Sequence, residues 1–210
     1  RAHASASSVD NGWMAGGALK AGLGKLVVTV DGVVRESDDY DVSTFPESRR
    51  QLEADGETVP GKIDSKVENT FAQLSSYGAG LSYIGERGYL GASVKRTETD
   101  YGVPGHAHEE PAPGDPPEEE EVVTIDLEQT RYDLRGEYNA ALGPFETIRF
   151  AAGYADYTHT ELDNGTPATR FLSEGWEGRL ELVQPNRGGW QGAVGVQALR
   201  RDFEAIGDEA

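Results

Sequence analysis

Along most of this chain apolar and charged residues alternate one by one, a spacing that serves a strand with two unlike faces and does not serve a helix. In Tyr132-Asp133-Leu134-Arg135-Gly136-Glu137-Tyr138 the even positions are Tyr, Leu, Gly and Tyr, whereas the odd positions are Asp, Arg and Glu. The segment Trp176-Glu177-Gly178-Arg179-Leu180-Glu181-Leu182 repeats the pattern. Weaker versions run through Leu26 to Arg35, Tyr77 to Tyr83, Leu90 to Lys95, Ile148 to Tyr157 and Trp190 to Gln197. Helical spacing is scarce, so the chain is expected to be all-β.

The connections alternate in length. Gly22-Leu23-Gly24-Lys25, Gly85-Glu86-Arg87-Gly88, Leu142-Gly143-Pro144-Phe145 and Pro185 to Gly189 read as tight Gly/Pro turns. Between them lie longer hydrophilic links, Ser43 to Thr70, Tyr101 to Val122 and a shorter one near Asp163 to Ala168. About eight antiparallel strands in successive hairpins follow, with every tight turn at one end. A transmembrane β-barrel has that asymmetry, and strands of roughly 9–11 residues cross a bilayer when tilted. Trp13, Tyr40, Tyr89, Tyr101, Tyr157, Trp176 and Trp190 sit near strand ends, where interfacial girdles form. The same rings could instead cap the core of a soluble barrel.

Composition narrows the partners. Of 210 residues, 19 are Lys or Arg and 37 Asp or Glu, a formal charge of -18, which argues against nucleic acid as a partner. Cysteine is absent, so neither a disulfide framework nor a thiolate metal site can form. No run of about 18 apolar residues offers a transmembrane helix. The chain opens at Arg1 without a signal-like segment and reads as a mature or truncated piece.

The charged faces indicate what kind of barrel. A closed barrel of about eight strands fills its lumen with packed side chains. Here Asp133, Arg135, Glu137, Glu177, Arg179 and Glu181 would face inward, paired across strands in a wet and wide interior. The opposite face would present Leu26, Val28, Val30, Leu134, Leu180, Leu182, Val194 and Val196 to lipid. The expectation is therefore an open portion of a larger barrel.

Specific segments carry a resemblance. Tyr101-Gly102-Val103-Pro104-Gly105-His106-Ala107-His108-Glu109, Ile125-Asp126-Leu127 and Thr130 to Glu137 are similar to the barrel of TonB-dependent outer-membrane receptors, nearest to their zinc-uptake branch. Ala155 to Leu162, Gly175 to Leu182 and Arg201 to Gly207 continue the likeness, while Gly16-Gly17-Ala18 and Asp38-Asp39-Tyr40-Asp41 fit a first hairpin less specifically. The resemblance implies a barrel of about 22 strands around an N-terminal plug, driven through the TonB protein of the inner membrane. Residues 1–210 would then be the N-terminal part of that barrel, about a third of its strands, without the plug. It also implies an outer-membrane location, lipid as a partner, and active uptake of a scarce metal, zinc first. A ferric-siderophore or haem receptor is the alternative within the class.

Candidate metal ligands fall in two places. The link from Gly105 to Glu121 holds His106, His108, Glu109 and Glu110, followed by Asp115 and Glu118 to Glu121, and is broken by Pro111, Pro113, Pro116 and Pro117. Imidazole nitrogen and carboxylate oxygen suit Zn²⁺, and two histidines at i,i+2 lie close in extended chain. Such a loop would concentrate ions at the barrel mouth; equally, it could be a solvated acidic loop. His159 has Tyr157 and Glu161 on its own face and Asp156 on the other, and could be a ligand or a hydrogen-bonded surface histidine. Zinc enters this reading as transported ligand, free or as a chelate; no resident cofactor is expected.

No enzyme signature is present: no Gly-x-Ser-x-Gly elbow, no His-Glu-x-x-His and no phosphate-binding loop. The chain is expected not to be an enzyme. The competing class is a soluble or surface acidic β-domain that binds a partner.

Overall fold

The computed structural model describes residues 1–43, 48, 50, 53–54, 66–104 and 122–207. The described elements are nine strands: β1 (Ala2–Ala6), β2 (Trp13–Leu23), β3 (Leu26–Ser37), β4 (Ala72–Gly85), β5 (Gly88–Val103), β6 (Val123–Leu142), β7 (Phe145–Asp163), β8 (Thr166–Arg187) and β9 (Trp190–Gly207). They form one antiparallel sheet in sequence order. The all-β expectation holds, with one strand more than the eight expected, the additional one being the short β1. Among the described residues β1 does not pair with β9, so the sheet is open.

Local chemistry explains the turns. Gly24, Gly143, Gly188 and Gly189 adopt positive φ between the paired strands, a conformation that costs glycine little. Asn164 and Gly165 have φ of 51° and 78°, the two-residue turn whose twist suits a hairpin. The link expected near Asp163 to Ala168 is therefore a tight turn. Thr166 and Pro167 belong to β8, with Pro167 tolerated beside a register irregularity near the strand end.

The strands outrun the alternating segments: β6 has 20 residues and β8 has 22. Residues paired across an antiparallel ladder share a face, so the register assigns every side chain to one of two faces. Leu26, Val28, Val30, Leu134, Leu180, Leu182, Val194 and Val196 all fall on one face. Asp133, Arg135, Glu137, Glu177, Arg179 and Glu181 all fall on the other. Hydrophobic burial is minimal: Ile125 and Val183 are the buried apolar residues among those described. Among the described residues the sheet is a single layer, with no second layer packed on its apolar face.

Candidate functional site

The apolar face carries a band with defined limits. On β6 it runs from Tyr138 to Tyr132, after which the same face turns polar at Thr130 and Glu128; the bulge beyond Asn139 puts Leu142, the partner of Phe145, on the other face. β7 switches after Tyr154 to Asp156, and β8 after Trp176 to Glu174. Tyr132, Tyr154 and Trp176 are direct ladder partners and form an aromatic row at this limit, with the tyrosine ring centroids 6.3 Å apart. The row is open to the surroundings, Tyr132 being 52% exposed and Trp176 48%. Tyr77 and Tyr83 bracket the band on β4 in the same way.

The band does not follow the ladder rows. Its upper limit is Trp13 on β2, Val34 on β3, Tyr77 on β4, Val94 on β5, Tyr132, Tyr154 and Trp176 on β6 to β8, and Ala198 on β9. Traced through the register, Ala198 aligns with Ala21, so the limit descends by eight residues over seven strand-to-strand steps. At roughly 3.3 Å per residue and 4.8 Å per strand, that slope is about 38° to the ladder rows. Between Leu23 and Trp13 the band measures roughly 33 Å along β2, or about 25 Å once tilted by that angle.

The girdle residues differ in part from those expected. Trp13, Trp176 and Trp190 lie on the apolar face, but Tyr89, Tyr101 and Tyr157 lie on the polar one. The strands continue beyond the apolar alternation, so the end of a periodic segment marks the band limit and not the end of the strand.

On the polar face, charges pair across strands. Arg149 Nε donates to Glu137 Oε2 at 2.9 Å, between neighbours on β7 and β6. Arg131 Nη2 donates to Asp133 Oδ1 at 3.0 Å and to Glu177 Oε1 at 2.8 Å, crossing over β7 to reach β8. Gly153 lies beneath it; a Cβ there would stand 2.9 Å from Nη2.

His106, His108, Glu109 and Glu110 lie outside the described residues. His159 is on the polar face of β7, with Tyr157 and Glu161 on the same side as the sequence suggests. Its Nδ1 is 2.8 Å from the Tyr157 hydroxyl, and its ring lies 4.5 Å from that of Phe171. Among the described residues no group of three or more His, Asp or Glu is placed to hold a metal. The aromatic neighbours Phe171 and Phe203 and the adjacent Arg201 are not candidates from the sequence. A signal for them is nevertheless present in β9, where Val194, Val196 and Ala198 give way to Arg200, Asp202 and Glu204 while Leu199 and Phe203 take the opposite parity.

The rim that carries the Asn164-Gly165 turn is braced by side chains, and that turn breaks the expected grouping of every tight turn at the other end. Asn69, at φ 58°, donates from Nδ2 to the carbonyls of Val103 and Val123, both at 2.7 Å, joining the two ends of the histidine-bearing link. Asn164 Oδ1 accepts from the Val122 amide at 3.2 Å. Asp39 Oδ1 accepts from the amides of Thr70 and Phe71 at 2.7 and 3.0 Å, with Lys66 at 3.5 Å from Oδ2. Burial opposes ionisation of Asp39, but those amides and the ammonium outweigh it and hold its carboxyl below the usual range.

No protein-family model matches this chain.

Proposed function

We propose that this chain is the N-terminal part of the β-barrel of an outer-membrane TonB-dependent receptor that imports a scarce metal, zinc first. The observation that carries this reading is the inclined apolar band. Its slope of about 38° falls within the 35–45° tilt of strands in transmembrane barrels, and its tilted height of about 25 Å matches their lipid-facing belt. Over β6 to β8 its upper limit is an exposed aromatic row, as at a membrane interface. The paired charges of the opposite face suit a wet lumen, and β9, with 18 residues and one unpaired edge among the described strands, invites further strands.

In this reading the loop-side residues, His106, His108, Glu109 and Glu110 among them, gather ions at the mouth, and the polar wall leads toward a plug outside these 210 residues. TonB acting on that plug would open the path. Lipid, the TonB protein and the metal ion or its chelate are the partners. The His159, Phe171 and Phe203 rings on the polar face favour a second reading within the class, capture of the metal as an organic chelate such as a ferric siderophore or haem.

The test is uptake of radiolabelled zinc by zinc-starved cells with and without the gene, before and after collapse of the proton gradient. Loss of uptake in both the deletion and the uncoupled cells supports the reading. Unchanged uptake in the deletion strain would contradict it.

A further inference from the structure

We infer that the polar face of β6 to β9 carries a binding site for a small aromatic carboxylate, anchored by Arg201 and seated against Phe203 and Phe171. The register lays out a basin of about 530 Å³. Its floor is the small residues Ala155 and Gly175, which are direct ladder partners, with Arg131 beyond one end of their row and Arg201 at the other. The next rows toward the loop side carry Tyr157 with Ser173 and Phe203, then His159 with Phe171. A floor without large side chains between aromatic walls admits a flat ring.

Charge selects what the ring carries. Arg131, Arg149 and Arg179 each hold a carboxylate on this face. Arg201 is oriented differently: its Nε donates to Ser173 Oγ at 2.7 Å, its guanidinium carbon lies 5.7 Å from the Phe203 ring centroid, and no ion pair to it is found among the described residues. A guanidinium held by a hydroxyl and a ring at the side of this basin suits a carboxylate ligand. Phe203, 61% exposed and 6.3 Å from Phe171 in a stacked arrangement, offers the face on which the ring rests. These residues stand level with or above the aromatic limit of the apolar band, and are reached from the loop side.

The inference needs only that the polar face is wetted; it makes no use of metal uptake, so failure of zinc transport leaves it standing. The test is fluorine NMR of 4-fluorobenzoate added to the full-length protein in detergent, with 4-fluorobenzyl alcohol as the uncharged probe and fluorocyclohexane carboxylate as the non-aromatic one. Saturable line broadening is expected for fluorobenzoate, with affinity about tenfold lower for Arg201→Gln and for Phe203→Ala. The two other probes should bind at least about tenfold more weakly. Phe203→Leu should recover part of the loss, which separates a lost contact from a damaged sheet. Equal binding by the variants, equal binding of the alcohol, or no saturable broadening at all would overturn the proposal.

Discussion

Arg131 reaches over an entire strand to bind Glu177, Nη2 to Oε1 at 2.8 Å, and it does so across Gly153. The direct ladder partner of Glu177 on β7 is that glycine, so the guanidinium lies where any other side chain would stand. Both groups are partly exposed, and a double-mutant cycle of Arg131→Ala and Glu177→Ala should give a coupling of about 0.5–1 kcal/mol. In a Gly153→Val background the coupling should fall to nearly zero, because the branched side chain closes the route. An undiminished coupling there would mean that the bridge does not need the glycine.

Leu180 lies within the apolar band, between Trp176 and Leu182 on the same face. If lipid covers it, Leu180→Arg should cost roughly 2–4 kcal/mol in denaturant unfolding from vesicles. Ser93→Arg, on the polar face directly opposite Asp133, should stay within about 0.5 kcal/mol of the parent. Equal effects at the two positions would contradict the assignment of faces.

Asn69→Ala removes both hydrogen bonds that join Val103 to Val123. Losing them should cost roughly 1–3 kcal/mol locally. The effect should appear as faster hydrogen exchange at Gly102, whose amide is bonded to Phe71, with β7 to β9 unaffected. Uniform acceleration across the sheet would instead mark global destabilisation.

The bracing by Asp39 depends on its charge. Its folded-state ionisation lies below the unfolded value of about 3.9, so its contribution is fully present above about pH 5 and is lost as pH falls through the folded value. Acidification should therefore loosen residues 66–71 before the strands, and Asp39→Asn should loosen them at neutral pH and flatten that response. Exchange or proteolysis rates at residues 66–71, followed against pH, check this.

The sequence was most legible where one face is uniformly apolar and the other charged, as in Tyr132 to Tyr138. It misled where the chemistry of a face changes within a strand. Glu174 and Asp156 share a face with Trp176 and Tyr154, so alternation ends while the strand goes on, and strand ends were set too early. The start of the chain reads as polar and strand-like, but Ala2 to Ala6 has small and polar side chains with no amphipathic contrast, and its pairing with β2 is what adds it to the strand count. The basin at Arg201 was illegible for another reason: Arg131, Ala155, Gly175 and Arg201 are 70 positions apart at their extremes, and only the register sets them in one row. The metal expectation at His106, His108, Glu109 and Glu110 concerns residues outside the described part of the structure.

The most direct measurement is spin-label accessibility along β3, β6 and β8 in outer membranes. The chain has no cysteine, so each introduced cysteine gives a single label. Labels at Val28, Leu134 and Leu180 should be relaxed by oxygen dissolved in lipid, and labels at Thr29, Asp133 and Arg179 by a water-soluble nickel complex. Along β6 the preference should alternate up to Tyr132 and then vanish from Thr130 onward, where both faces are polar. Labels equally open to the nickel complex on both faces of Leu134 and Asp133 would contradict a membrane-spanning sheet.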